Sequence, residues 1–137
     1  MSFRYKSALL SLVSMAAIYG WFFVTVRWGP ANPTGQAANV ALLVLTVVLF
    51  AVVQAIGHAI LAITSRDKYG AMDERERGFD QRATNVGYYV LIVGALMAIW
   101  TLRGAGGFDM GYAVLLAIVV AECARQMVFL FLHHRAV

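Results

Sequence analysis

Four long apolar stretches dominate this sequence of 137 residues and limit what it can fold into. Each stretch is at least as long as the ~18–20 residues that an α-helix needs to cross a bilayer. Hydrophobic residues make up 61% of the chain and charged residues only 13%, against about 25% charged in a typical soluble domain. This composition excludes a soluble globular enzyme, a disordered protein and a disulfide-stapled secreted module. We therefore expect an all-α integral membrane protein.

Prolines, glycines and charged residues separate the apolar stretches from one another. Both prolines, Pro30 and Pro33, follow the first stretch, where they stop helices. A charged segment follows the second stretch and a glycine-rich turn follows the third. An even number of crossings places both termini on the same side. We predict one transmembrane domain over 1–137, a four-helix bundle with spans 7–26, 39–63, 84–102 and 110–132.

The distribution of Lys and Arg predicts the direction of insertion, because connections rich in these residues stay in the cytoplasm. One side of the predicted topology holds only Arg27 and Arg103. The other side holds eight basic residues, which are Arg4, Lys6, Arg66, Lys68, Arg75, Arg77, Arg82 and Arg135. We therefore expect both termini and the loop 64–82 to be cytoplasmic. Trp21, Trp28 and Trp100 then lie near the outer interface, where tryptophan is enriched.

Within the loop 64–82, the residues from Asp73 onward are typical of a helix start. Asp73 can cap the helix and Glu76 lies three residues later, the spacing of a capping box. The third helix is therefore predicted to begin near Asp73, before its membrane span. Acidic and basic residues are balanced from Arg66 to Arg82, which disfavours a lipid-headgroup or nucleic-acid site. We predict a docking surface for a protein partner at Asp73, Glu74, Arg75, Glu76 and Arg77.

Small residues recur at spacings that allow membrane helices to approach closely. They favour packing within the chain, and a seam between copies of the chain is the alternative. The repeats are Ala51, Ala55 and Ala59, then Ala113, Ala117 and Ala121, and Gly87, Gly94 and Thr101.

Polar residues inside the apolar stretches predict a cluster in the inner half of the membrane. Glu122 and Arg125 share a helix face, since they are three residues apart. Gln54 and His58 share a face of the second span. At ~1.5 Å per residue, Gln54 matches the depth of Glu122, and His58 lies near the depth of Arg125 and Gln126. The predicted intramembrane polar cluster consists of Gln54, His58, Asn85, Glu122, Arg125 and Gln126.

Three interpretations of this polar cluster stay open. It is a structural latch, a proton- or cation-coupled pathway in which Glu122 titrates and His58 relays, or a ligand site. An intramembrane ionisable residue indicates function by default, but a neighbouring arginine keeps a carboxylate ionised, which favours the latch. No catalytic motif, metal site or cofactor site is evident. The adjacent His133 and His134 point about 100° apart on a helix and suit a solvated edge.

The segment Met72-Asp73-Glu74-Arg75-Glu76-Arg77, directly ahead of a span, resembles a feature of small multi-span prokaryotic membrane proteins of unknown function. In these an Asp-Glu-Arg-Glu-type motif precedes a membrane span. The similarity covers the residues from Met72 to Leu91. It implies a prokaryotic inner-membrane protein with a cytoplasmic docking or capping role for this motif, and it implies no catalytic residue.

These observations predict a non-enzymatic accessory, regulatory or assembly protein of the prokaryotic inner (plasma) membrane. Its expected partners are membrane lipids and either another protein or further copies of itself, with no nucleic acid. The alternative is a small oligomeric transporter or channel for protons or cations that uses Glu122 and His58. We expect no cofactor and no enzyme activity in either case.

Overall fold

The computed structural model describes residues 3–28, 36–64, 74–101 and 107–135, and every one of them is helical. Side chains are described for 3–26, 38–64, 74–100 and 110–135. The helices are α1 (Phe3–Trp28), α2 (Gln36–Thr64), α3 (Glu74–Thr101) and α4 (Gly107–Arg135). The prediction of an all-α protein with four long helices is confirmed.

Each helix is long and apolar enough to cross a membrane. The shortest, α1, has 26 residues, or about 39 Å at the α-helical rise, against ~30 Å of hydrocarbon. α2 contains no Asp, Glu, Lys or Arg, whereas the charges of α3 are confined to its first three turns. The helices contain the predicted spans, apart from Leu102, which lies outside the described residues.

The chain forms two compact units, Met1–Arg66 and Asp67–Val137. In the first unit α1 packs against α2. Ser7 contacts His58, and further along α1 Tyr19 packs edge-on against Phe50 with ring centroids 5.5 Å apart. From Ser7 to Tyr19 the residue number rises along α1, while the contacted residue number on α2 falls from His58 to Phe50. The two helices are therefore antiparallel. Phe22 is fully buried in this unit.

In the second unit α3 and α4 also pack antiparallel, through small residues. A Cβ built at Gly94 would lie 2.9 Å from the Cβ of Ala117, and one built at Gly87 would lie 3.2 Å from the carbonyl oxygen of Ala121. Ala117 and Ala121 are both buried. Two members of the predicted α3 glycine repeat therefore pack against two members of the α4 alanine repeat, whereas the side chain of Thr101 lies outside the described residues.

The alanine repeat of α2 has a different position. Ala51, Ala55 and Ala59 are all exposed. The face of α2 that packs on α1 carries Phe50 and Gln54 instead, because Ala51 is rotated from Phe50 by about 100°. This repeat therefore takes no part in the α1–α2 packing.

Candidate functional site

A polar seam joins α1 and α2. Ser7, Ser11 and Ser14 follow one another at spacings of four and three, which places them on one face of α1. They meet Gln54 and His58, which share a face of α2. The Gln54 amide donates to Ser14 Oγ over 3.0 Å, and Ser11 Oγ donates to Gln54 Oε1 over 3.4 Å. The amide nitrogen and the amide oxygen of Gln54 therefore each have a hydrogen-bond partner on α1.

His58 is held at both ring nitrogens. Nδ1 lies 2.8 Å from the backbone carbonyl oxygen of Gln54, and Nε2 lies 2.8 Å from Ser7 Oγ. A carbonyl oxygen only accepts, so Nδ1 carries the hydrogen and donates it. In neutral imidazole Nε2 then accepts, and the Ser7 hydroxyl donates to it. The contact with the Gln54 carbonyl thus selects the tautomer, and the two contacts together fix the ring orientation.

A second polar group, the ion-pair network, lies between α3 and α4. Arg125 Nε donates to both carboxylate oxygens of Glu122 over 3.0 Å, and its Nη2 also contacts Glu122 Oε1. Gln126 Nε2 donates to the same oxygen over 3.0 Å. Arg125 Nη1 reaches Asp80 Oδ1 on α3 over 3.4 Å. One guanidinium therefore bridges two carboxylates from different helices.

Gly87 makes room for the arginine of this network. A Cβ at Gly87 would lie 3.1 Å from the Cβ of Arg125, tighter than ordinary van der Waals contact. The absence of a side chain at Gly87 lets α4 approach closely, so that the guanidinium reaches Asp80 across the helix pair. The side chains of Arg125 and Asp80 are 31% and 40% exposed, so the helix pair covers this network only in part.

The structure brings the six residues of the predicted polar cluster together in part. Glu122, Arg125 and Gln126 form one network in the α3–α4 unit, and Gln54 is bonded through its backbone carbonyl to His58 in the α1–α2 unit. Asn85 does not join Glu122. It is exposed and lies about 200° around α3 from Gly87, on the face away from α4, because ~3.6 residues make one turn.

Sequence reasoning missed the three α1 serines and Asp80 as members of these groups. The serine spacing was a usable signal, since it matches one helix face. Asp80 lies ahead of the predicted third span, and only the helix register shows that the long Arg125 side chain reaches it.

The predicted docking residues lie at the amino terminus of α3, apart from Asp73, which lies outside the described residues. Glu74, Arg75 and Arg77 are exposed and Glu76 is half-buried. Glu74 and Glu76 occupy the first turn, where acidic side chains interact favourably with the helix dipole.

Among the residues that the structure describes, no group of three or more His, Cys, Asp or Glu side chains is arranged to hold a metal ion. Comparison with protein-family models finds no match. Comparison with the curated proteins finds no significant relative, and comparison with the solved structures finds no significant match.

Proposed function

We propose that this chain is a multi-pass protein of the prokaryotic inner membrane that crosses it four times, with both termini in the cytoplasm. The excess of Lys and Arg on one side of the predicted topology supports this orientation. Trp21 and Trp100 are exposed near the carboxyl ends of α1 and α3, which supports a position of both ends at a membrane interface, where tryptophan is enriched.

Within that membrane the protein acts as a non-enzymatic accessory, regulatory or assembly partner. The observation that carries this proposal is the contrast between the polar residues inside the spans and the charged residues at the start of α3. Glu122, Gln54 and His58 are bonded to neighbouring side chains, whereas the side chains of Arg75 and Arg77 are exposed. The surface open to recognition is therefore the start of α3.

The length of α3 supports a position of this surface outside the hydrocarbon. Its 28 residues extend about 42 Å, some 12 Å more than the hydrocarbon thickness. The charged residues all lie in the amino-terminal part, so the excess length projects from the membrane there. Basic and acidic side chains alternate on this projection, and its partner accordingly carries a complementary mixed-charge surface.

The transport alternative has less support. A carboxylate that carries protons or cations must exchange its partners with the cargo. Glu122 instead accepts hydrogen bonds from Arg125 and Gln126, and the ring of His58 is bonded at both nitrogens. In the proposed function these groups are structural: His58 joins α2 to Ser7 of α1, and Glu122 orients Arg125, which reaches Asp80 of α3.

The docking proposal is tested by charge reversal in the full chain. Arg75→Glu and Arg77→Glu are compared with Lys6→Glu, which reverses an exposed cation at the start of α1. Tagged proteins are purified from native membranes in mild detergent. We expect the same co-purifying protein to be lost in both α3 variants and retained in Lys6→Glu, with unchanged thermal stability. Retention of that protein by all three variants would contradict the proposal.

A further inference from the structure

The carboxyl end of α4 carries an arginine that stacks on an exposed aromatic ring. The guanidinium carbon of Arg135 lies 4.8 Å from the centroid of the Phe131 ring. Both side chains are exposed, that of Phe131 by 55%. Among the described residues, none hydrogen-bonds to Arg135 or forms an ion pair with it. The stack therefore orients a cation whose charge the described chain does not compensate.

Stacking holds the guanidinium in a position that suits phosphate. Side chains on a helix lean toward its amino terminus, and Arg135 accordingly lies back over Phe131, one turn earlier in α4. The ring covers one face of the guanidinium plane, whereas the five N–H donors lie within that plane and stay accessible. Two of these donors can bind two oxygens of one phosphate in parallel.

The stacked pair lies at the end of a row of apolar side chains. Leu116, Val120 and Met127 are exposed and lie within about 60° of Phe131 around α4. α4 is a candidate membrane span, and such a row on a span contacts hydrocarbon. A guanidinium at the end of this row lies at the boundary of the hydrocarbon, where the phosphates of phospholipids begin.

The charges of the chain favour a lipid over other occupants of this site. Residues 1–66 contain four basic and no acidic residues, so the α1–α2 unit has no carboxylate with which to pair Arg135. Glu74 and Glu76 lie at the same end of the α3–α4 pair, and neither pairs with Arg135. A second copy inserted in the same direction would bring its own Arg135 to the same depth, where the two cations repel each other.

We propose that Arg135 and Phe131 form a headgroup site for an anionic phospholipid. The Phe131 ring contacts the acyl chain next to the glycerol, and the Arg135 guanidinium donates two hydrogen bonds to the phosphate. A zwitterionic headgroup carries the same phosphate together with an ammonium group, so the site favours the anionic lipid. The inference requires that α4 spans a membrane. It depends neither on the side at which α4 ends nor on the proposed docking surface.

The inference is tested by the lipids that the full chain retains. The protein is reconstituted in vesicles of equal parts phosphatidylglycerol and phosphatidylcholine, purified in mild detergent, and the ratio of the two retained lipids is measured. We expect Arg135→Gln to lower the ratio of phosphatidylglycerol to phosphatidylcholine about two- to fivefold, up to the contribution of one basic residue at an anionic surface. Arg75→Gln is the matched control, because it removes an exposed cation that lies between Glu74 and Glu76, and it should keep the wild-type ratio.

Two conservative variants separate the stack from the charge alone. Arg135→Lys keeps the charge but loses the planar donors, and Phe131→Leu keeps an apolar side chain but loses the aromatic face. Each should lower the lipid ratio less than Arg135→Gln does, with unchanged thermal stability. An unchanged ratio in Arg135→Gln, or an equal fall in Arg75→Gln, would overturn the proposal. So would a protein that co-purifies with the wild type from native membranes and is lost from Arg135→Gln while the lipid ratio stays the same.

Discussion

The closest approach between α3 and α4 provides the sharpest test of the packing. In Gly94→Ala the new Cβ would lie 2.9 Å from that of Ala117, whereas ordinary contact begins at 3.4 Å. Neither methyl group can rotate away, because each is fixed to its backbone. The backbone of α3 or α4 must therefore shift at this position.

This shift has a cost that can be bounded. A gap of ~0.5–1 Å forfeits about a quarter to a half of the dispersion energy of the atom pairs that it parts, and overpacking generally costs ~1–3 kcal/mol. Alanine recovers up to ~1 kcal/mol through its higher helix propensity. We expect Gly94→Ala to lower the free energy of unfolding by about 1–2 kcal/mol.

Two further variants make the measurement specific. Gly111→Ala is the matched control on α4, since a Cβ there meets nothing within 4 Å, and its stability should be unchanged or higher. Adding Ala117→Gly to Gly94→Ala removes the colliding methyl group and should recover stability beyond the sum of the single changes. Unfolding is followed by tryptophan fluorescence in mixed SDS and mild detergent. Equal effects at positions 94 and 111, or an additive double variant, would refute this packing.

Three further predictions concern the polar residues. Gln54→Leu removes two hydrogen bonds between α1 and α2 and should lower the free energy of unfolding by ~0.6–2 kcal/mol in the same assay. Thr46→Val is the control: the Thr46 hydroxyl donates to a carbonyl oxygen within α2, so its loss should be nearly neutral. Glu122→Gln should destabilise the protein more than Asp80→Asn, because Arg125 bonds Glu122 through two nitrogens and Asp80 through one; the reverse order would contradict the network. Liposomes containing Glu122→Gln should show the same pH-driven proton flux as wild type, and flux that this change abolishes would restore the transport alternative.

The helices could be predicted because their cause is local. Long apolar runs, the two prolines after the first run and the acidic residues around Glu74 are visible in the sequence, and the structure begins α3 at Glu74. The pairing of Gln54 could not be predicted in the same way. Depth follows from counting residues along a span, but the helix that a given face meets depends on packing between helices.

Asn85 and Asp80 illustrate the same limit. The sequence groups Asn85 with the predicted polar cluster, whereas Asp80 precedes the predicted third span. The rotation of α3 is set by Gly87 and Gly94, which pack against α4. That rotation turns Asn85 away from α4 and brings Asp80 within reach of Arg125. Small residues thus determine which polar side chains meet. The sequence alone leaves open which helix each small-residue repeat packs against.

Cysteine labelling in intact cells tests the four-crossing topology most directly. Pro30→Cys, Gly106→Cys and Arg75→Cys are made singly in a Cys123→Ser background and exposed to a membrane-impermeant maleimide. We predict that positions 30 and 106 react from outside, and that position 75 reacts only after lysis. Labelling of position 75 in intact cells, or of neither 30 nor 106 until lysis, would contradict a chain that crosses the membrane four times with both ends in the cytoplasm.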